Sequence, residues 1–245
     1  REDVITLTDL YQDKGYALTD VSPITLVDDD AQKIDITFNV TKGKEIYVNR
    51  INIFGNTRTR DKVIRRELRL AEGDRYSGTG LKRSKERLTN TQYFKEVDLK
   101  LIKTEDPEKI NLDVAVDEKP TGTFNVSVGY STTEGAIIGG SISQNNFLGT
   151  GRKLYFNAGV GDITNNFSAS IVDPYIFDLN LSAGLGLSHY TREMDSYDYK
   201  ITGGSLSFVR PMTEFTKLST RYKYEKTKIN NIDVDASQTI KDQAG

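Results

Sequence analysis

From Thr123 to Tyr224 the chain alternates apolar and polar residues with a period of two. Phe124, Val126, Val128 and Tyr130 interleave with Asn125, Ser127, Gly129 and Ser131, and Leu154, Phe156, Ala158 and Val160 with Tyr155, Asn157, Gly159 and Gly161. The pattern returns where Leu179, Leu181, Ala183, Leu185 and Leu187 alternate with Asn180, Ser182, Gly184, Gly186 and Ser188. A late strand sets Leu218, Tyr222 and Tyr224 against Ser219, Arg221, Lys223 and Glu225. A period of two belongs to strands and not to helices. The polar side is mostly Gly, Ser and Asn, where the solvent face of a soluble sandwich would carry long charged residues. Small polar residues suit the crowded wall of a barrel interior, with the apolar side turned to lipid. The alternative is a soluble β-sandwich, which would bury the apolar face under a second sheet.

The preceding residues have a different rhythm. Val4, Leu7, Leu10 and Tyr11 fall at helical spacing, predicting a helix over 4–13 that stops near Gly15. Strands are expected over 17–26, interrupted by Pro23, and over 34–40, with a turn at 28–32 between them. A strand over 46–54 ends at Gly55-Asn56, a turn signal. Helices are then expected over 60–70, capped by Thr59 or Asp61, and over 80–91. Strands follow over 97–102 and 109–116. A shift of 76 residues lays Asp20-Val21 on Glu96-Val97, Ile34 on Ile110, and Ile36, Phe38 and Val40 on Leu112, Val114 and Val116. Two copies of one module are expected, the first lacking its opening strand and helix.

Composition sharpens this division. Residues 1–118 hold 44 charged side chains and residues 119–245 only 24, while 14 of the 20 glycines lie in the second part. The balance of 33 basic and 35 acidic residues argues neither for a nucleic-acid footprint nor for docking of the chain as a whole to anionic lipid by net charge. Mean hydropathy is −0.51 and no apolar run has the length of a spanning helix, about 18 residues. There is no cysteine, which removes disulfides and thiolate metal sites. The opening Arg1-Glu2-Asp3 has neither initiator Met nor signal core, so an internal fragment is expected.

No catalytic constellation is expected. His189, the single histidine, has no recognisable nucleophile partner in sequence. Asp28-Asp29-Asp30 lacks the spaced ligands and glycine of a calcium loop, and Gly55-Asn56-Thr57-Arg58 lacks the spacing of a phosphate loop. Catalytic residues, metal and cofactors are all expected to be none.

Ile51-Asn52-Ile53-Phe54-Gly55-Asn56-Thr57, with Tyr93-Phe94-Lys95-Glu96-Val97 before the second strand, resembles the opening of a POTRA domain. Gly122 to Tyr130, Asn145-Asn146-Phe147-Leu148-Gly149-Thr150-Gly151 and Asp173-Pro174-Tyr175 resemble the first barrel strands of the Omp85 family. The resemblance implies an α+β POTRA module of order β-α-α-β-β followed by an antiparallel transmembrane β-barrel, truncated to about its first seven strands. It divides the chain into 1–44, the end of a fourth POTRA domain; 45–119, a complete fifth; and 120–245, the start of the barrel. The family's Arg-Gly-Phe motif, from a later loop, has no counterpart in this chain.

What the resemblance implies about function is non-enzymatic assembly of β-barrel proteins into the outer membrane of a Gram-negative bacterium, with the POTRA domains in the periplasm. Partners would be unfolded outer-membrane proteins, accessory lipoproteins including a BamD-like subunit, and outer-membrane lipid. Arg65, Arg69 and Glu72 match the lipoprotein contact. Val97, Leu99 and Leu101 lie on an edge strand that accepts extended peptides. Phe124, Asn125, Val126, Ser127, Val128, Gly129 and Tyr130 would form the seam strand that opens laterally. Alternatives within the same architecture are a two-partner secretion pore, an autotransporter-assembly relative, or a barrel-fused patatin-like lipase, the last marked by an upstream Gly-x-Ser-x-Gly.

Overall fold

The structure, a computed structural model, describes residues 2–28, 32–213, 215–233 and 237. The chain forms two compact units, Arg1–Pro120 and Thr121–Gly245. In the first, α1 (Glu2–Gln12) precedes β1 (Asp20–Asp28) and β2 (Lys33–Thr41), an antiparallel pair in register from Asp20↔Thr41 to Asp28↔Lys33. The strand passes through Pro23 without a break, since the two-stranded sheet gives β1 an edge where a missing N–H is tolerated. Of the turn expected between them, Asp29, Asp30 and Ala31 lie outside the described residues.

Next come β3 (Tyr47–Phe54), α2 (Asp61–Arg65), α3 (Gly78–Asn90), β4 (Phe94–Lys103) and β5 (Lys109–Glu118). The sheet order is β3-β5-β4, with β5 parallel to β3 and antiparallel to β4. A shift of 76 residues carries α1 onto α3, β1 onto β4 and β2 onto β5 along the chain. Central β5 turns Ile110, Leu112, Val114 and Val116 into the core, where the last three meet Val63, Ile64 and Leu88 from the helices.

Helix α2 is shorter than the expected 60–70. Its apolar spacing continues to Leu68, but the chain leaves α geometry after Arg65 and proceeds in tighter turns, Glu67 N–H to Ile64 O and Leu68 N–H to Arg65 O. Tertiary bonds hold that departure: Arg87 Nε donates to Glu67 O, and Ser84 Oγ accepts from Arg69 N–H. Helix α2 begins at Asp61. The cap position is Arg60, without a side-chain bond, and Asp61 pairs with Arg65. Instead the Glu118 carboxylate, from the end of β5, accepts from Thr57 Oγ1, Arg58 N–H and Thr59 N–H. Gly55 is required where β3 ends: its φ is +85°, and a Cβ there would stand 2.0 Å from Val116 O.

The two modules interlock at α3. Ser77 caps the helix through Gly80 N–H, and Asp13, just after α1, accepts from Ser77 Oγ, Thr79 N–H and Thr79 Oγ1 at 2.7–2.9 Å. Burial pushes the Asp13 carboxyl up, but the bonds from Thr79 and Ser77 and the charge of Lys82 outweigh it and hold it below its ordinary 3.8. Burial likewise acts upward on Glu118, and Thr59, Arg58 and Thr57 hold it below 4.5. Carboxyls lowered by folding stabilise fully above their unfolded values and lose that contribution as pH falls through the folded ones. Asp13→Ala is therefore expected to cost about 1 kcal/mol at neutral pH. In the intact protein, exchange of the Thr59 and Thr79 amides, corrected for its intrinsic pH dependence, should quicken as pH drops from about 5 to about 3. Flat exchange across that range would remove both carboxylates from the account.

The second unit is one antiparallel sheet of seven strands in sequence order: β6 (Gly122–Ser131), β7 (Gly135–Phe147), β8 (Arg152–Gly161), β9 (Thr164–Asp173), β10 (Ser182–Met194), β11 (Tyr197–Pro211) and β12 (Lys217–Asn230). Strand β10 begins at Ser182, so Leu179 and Leu181 belong to the connection. There the backbone is left-handed at Phe177 and Asp178, which stops the alternation from continuing as strand. Register aligns whole rows. One runs Phe124, Ile142, Phe156, Ala169, Leu187, Gly204, Tyr224; the row beside it on the opposite face runs Asn125, Ser141, Asn157, Ser168, Ser188, Gly203, Glu225. Every buried large apolar side chain among the described residues belongs to the first unit, while Phe124, Phe156, Leu187 and Tyr224 are exposed. Among the described residues no second sheet covers the apolar face, as a sandwich would require. The sheet is the truncated start of an antiparallel barrel, apolar outside and polar inside.

Candidate functional site

In the sheet β3-β5-β4 the two edges differ. Along β3 the outer backbone is already engaged: Ile46 O accepts from Tyr76 N–H, Val48 N–H donates to Asp74 O, and Val48 O accepts from Gly73 N–H. Ile51 completes the closure through side chains. Its N–H donates to Glu72 Oε1 at 2.9 Å, its carbonyl accepts from Arg65 Nη2 at 2.9 Å, and Arg65 Nη1 lies 3.4 Å from Glu72 Oε1. The Ile51 N–H holds the Glu72 carboxyl below its ordinary 4.5, against desolvation and with help from the Arg65 charge. Strand β4 pairs only with β5 among the described residues, leaving its outer edge open over Phe94–Lys103. Val97 is buried, Leu99 and Leu101 are half-buried against the core, and Lys95 and Lys100 are exposed. Edge lysines of this kind discourage indiscriminate strand pairing.

The sequence places Arg65, Arg69 and Glu72 together, and the structure unites only two of them. Arg69 is exposed and its guanidinium makes no ion pair among the described residues, whereas Arg65 and Glu72 are bound to each other and to Ile51. Sequence reading missed that attachment because Ile51 lies 21 positions before Glu72. Nothing local marks it.

In the barrel sheet β6 is an edge, paired only with β7 among the described residues. Its ten residues carry no charge. Phe124, Val126, Val128 and Tyr130 are exposed on one side, the last two by 78% and 80%. On the other side Asn125 and Ser127 border a shallow hollow shared with Ser141, Asn157, Gly159 and Asn166. A Cβ at Gly129 would meet nothing within 4 Å, so packing within this chain does not demand glycine there. The side-chain bonds to β7 are few: a Thr123–Ser143 hydroxyl pair and Asn125 to Ser141 at 3.4 Å.

The turn Asn145 to Gly151 fixes the neighbouring hairpin. Asn146, buried, accepts the Gly151 N–H through its side chain at 2.7 Å, and its carbonyl accepts from Gly149 N–H. Asp173 joins β9 to β8 through Arg152 at 2.8 Å and accepts from Tyr175 N–H. His189 stands on the apolar face, its ring bonded to Thr202 and Thr191 hydroxyls.

Family models match both units: "Surface antigen variable number repeat", the POTRA family, over residues 1–43 and 46–119, and the Omp85 superfamily domain over 146–244. The outer membrane protein assembly factor BamA of Nitratidesulfovibrio vulgaris is 34% identical over 98% of this chain and 30% of its own length. That of Neorickettsia risticii is 32% identical over 100% of this chain and 33% of its own. The chain thus spans about a third of these curated relatives. The crystal structure of BamA from Haemophilus ducreyi lacking POTRA domains 1-3 matches with a TM-score of 0.81 at 25% identity, covering 96% of this chain and 45% of that one. POTRA repeats and an Omp85 domain follow one another along this chain, relatives named as assembly factors align with nearly all of it, and the chain belongs to the Omp85 superfamily.

Proposed function

We propose that this chain is part of a non-enzymatic insertase that assembles β-barrel proteins into the outer membrane of a Gram-negative bacterium. Its POTRA modules lie in the periplasm, and β6 forms one lip of a lateral seam. The observation that carries this reading is the joining, in one chain, of POTRA modules to a sheet with one apolar and one small polar face, whose β6 edge carries no charge and is weakly tied by side chains. Within a bilayer each unpaired backbone group costs several kcal/mol, so a client strand that pairs with such an edge is stabilised without nucleotide hydrolysis. The assembly-factor names of the two curated relatives support the same reading. The test is to place the full-length protein in liposomes and add a urea-unfolded barrel protein, following folding by its gel-mobility shift. Faster folding than in empty liposomes is expected, and equal rates overturn the proposal.

Two further roles belong to this reading. The open edge of β4 at Val97, Leu99 and Leu101 receives extended client segments by β-augmentation, which the closed edge of β3 does not allow. Arg65, Arg69 and Glu72 contact a BamD-like accessory lipoprotein. Glu72 also holds Ile51, so Glu72→Lys changes two things at once. Glu72→Gln separates them, keeping an acceptor for the Ile51 N–H while losing the charge. Both variants are expected to weaken pull-down of the lipoprotein roughly tenfold, about 1.4 kcal/mol. Only Glu72→Lys should speed exchange at the Ile51 amide. Full retention of the lipoprotein by both variants would refute the contact.

A further inference from the structure

Register on the apolar face of the barrel sheet brings a set of cations together that the sequence scatters. One row runs Val128, Ile138, Val160, Asn165, Thr191, Lys200, Lys228, and the row next to it on the same face ends His189, Thr202, Lys226. Across β6, β7 and β8 the first row is apolar. Across β10, β11 and β12 it becomes hydroxyl and basic. The rows on the other side of this cluster return to Leu187, Gly204, Tyr224 and then Leu185, Leu206, Tyr222.

Barrel strands tilt by about 35–45°, so a row fixed by register climbs relative to the bilayer as it crosses the sheet. A row that lies in the apolar band at β6 therefore leaves it by β12. The tyrosines at 222 and 224 stand where an interfacial aromatic girdle belongs, and the lysines lie one and two rows beyond. Lys226 and Lys228 are exposed, Lys200 is half-buried, and none of the three has an ion-pair partner among the described residues. The next row holds the carboxylates Glu193 and Asp198, the latter taken by Asn231. His189 points both ring nitrogens at Thr202 and Thr191, ordering the hydroxyls between the lysines.

We propose that Lys200, Lys226 and Lys228, with Thr191, Thr202 and His189, form a binding site for the anionic phosphate headgroup of a lipid. The lipid belongs to the leaflet at the end of the sheet away from where the chain enters β6. This rests on the reading of the apolar face as lipid-facing. Long basic side chains at that level extend their amines into the headgroup layer while their stems lie along the apolar surface.

The test uses the full-length protein in nanodiscs of phosphatidylcholine mixed with phosphatidylglycerol, counting co-purified lipids by native mass spectrometry. Wild type is expected to retain phosphatidylglycerol in preference to phosphatidylcholine. The triple variant Lys200→Gln, Lys226→Gln, Lys228→Gln should lose at least about tenfold of that preference, and the triple Lys→Arg variant should keep it. Excess inorganic phosphate should leave the lipid bound, and displacement by it overturns a lipid as the occupant. Equal preference in wild type and the Gln variant, with both inserted, overturns the site but leaves the barrel reading standing. A protein that does not insert into the nanodisc overturns both.

Discussion

A cysteine at Asn125 or Ser127, oxidised to an opposed cysteine on the strand that closes the barrel, is expected to stop client insertion, with reductant restoring it. The expectation follows from the proposed mechanism, in which a client strand is templated only by a backbone row that is free at least part of the time. Position 125 is the better choice. Ser127 Oγ fills the space a Cβ at Gly139 would occupy, while Asn125 gives up only a 3.4 Å contact with Ser141. The chain has no cysteine of its own to compete for the bond. The partner must place its Cα within about 7 Å for the disulfide to form. Loss of assembly should exceed about tenfold in the liposome assay, more than 1.4 kcal/mol in barrier. A completely crosslinked protein that assembles clients at the reduced rate would make the seam a static closure.

Leu187→Arg is expected to destabilise the barrel by roughly 2–4 kcal/mol in a liposome folding assay, and Ser188→Arg by less. Leu187 is 61% exposed, in the middle of the apolar row that runs from Phe124 to Tyr224. Ser188, one position on, belongs to the row of Asn125, Ser141, Asn157 and Ser168, where a charge meets polar groups and water. Leu185→Arg should behave like Leu187→Arg. Leu181→Arg should cost less than either, because Leu181 precedes β10 and is not part of a membrane-facing row. Equal losses at 187 and 188 would mean a sheet buried on both faces.

These residues also show what was legible in the chain. Alternation carried β6, β8, β10 and β12, because each barrel strand contacts two different solvents and that constraint acts along the strand, whereas the count of about seven strands came from the family resemblance. It failed at Leu179 and Leu181, where the pattern continues but a left-handed turn at Phe177 and Asp178 intervenes. The module repeat was legible because α1 and α3, β1 and β4, and β2 and β5 keep a constant spacing. Helix α2 was overdrawn for a different reason. Its end is set by Ser84 and Arg87, far along the chain, and local spacing does not register them. The same holds for Glu118 at Thr59 and for Glu72 at Ile51. Charged side chains that bind distant backbone look in sequence like ordinary solvated surface. The cluster of charge at Arg65, Arg69 and Glu72 was legible, but the internal work of Arg65 and Glu72 was not.

The bonds from Asp13 to Ser77 and Thr79 bear on how the chain folds as it emerges. Nucleating a helix is unfavourable, and an N-terminal acceptor lowers that cost for the first turn of α3. Here part of the acceptor set comes from the preceding module, synthesised 64 and 66 residues earlier. A chain delivered from its N-terminus thus presents Asp13 before the helix that needs it exists. The start of α3 is thus completed by a residue of the module before it, which ties the stability of the second module to the presence of the first.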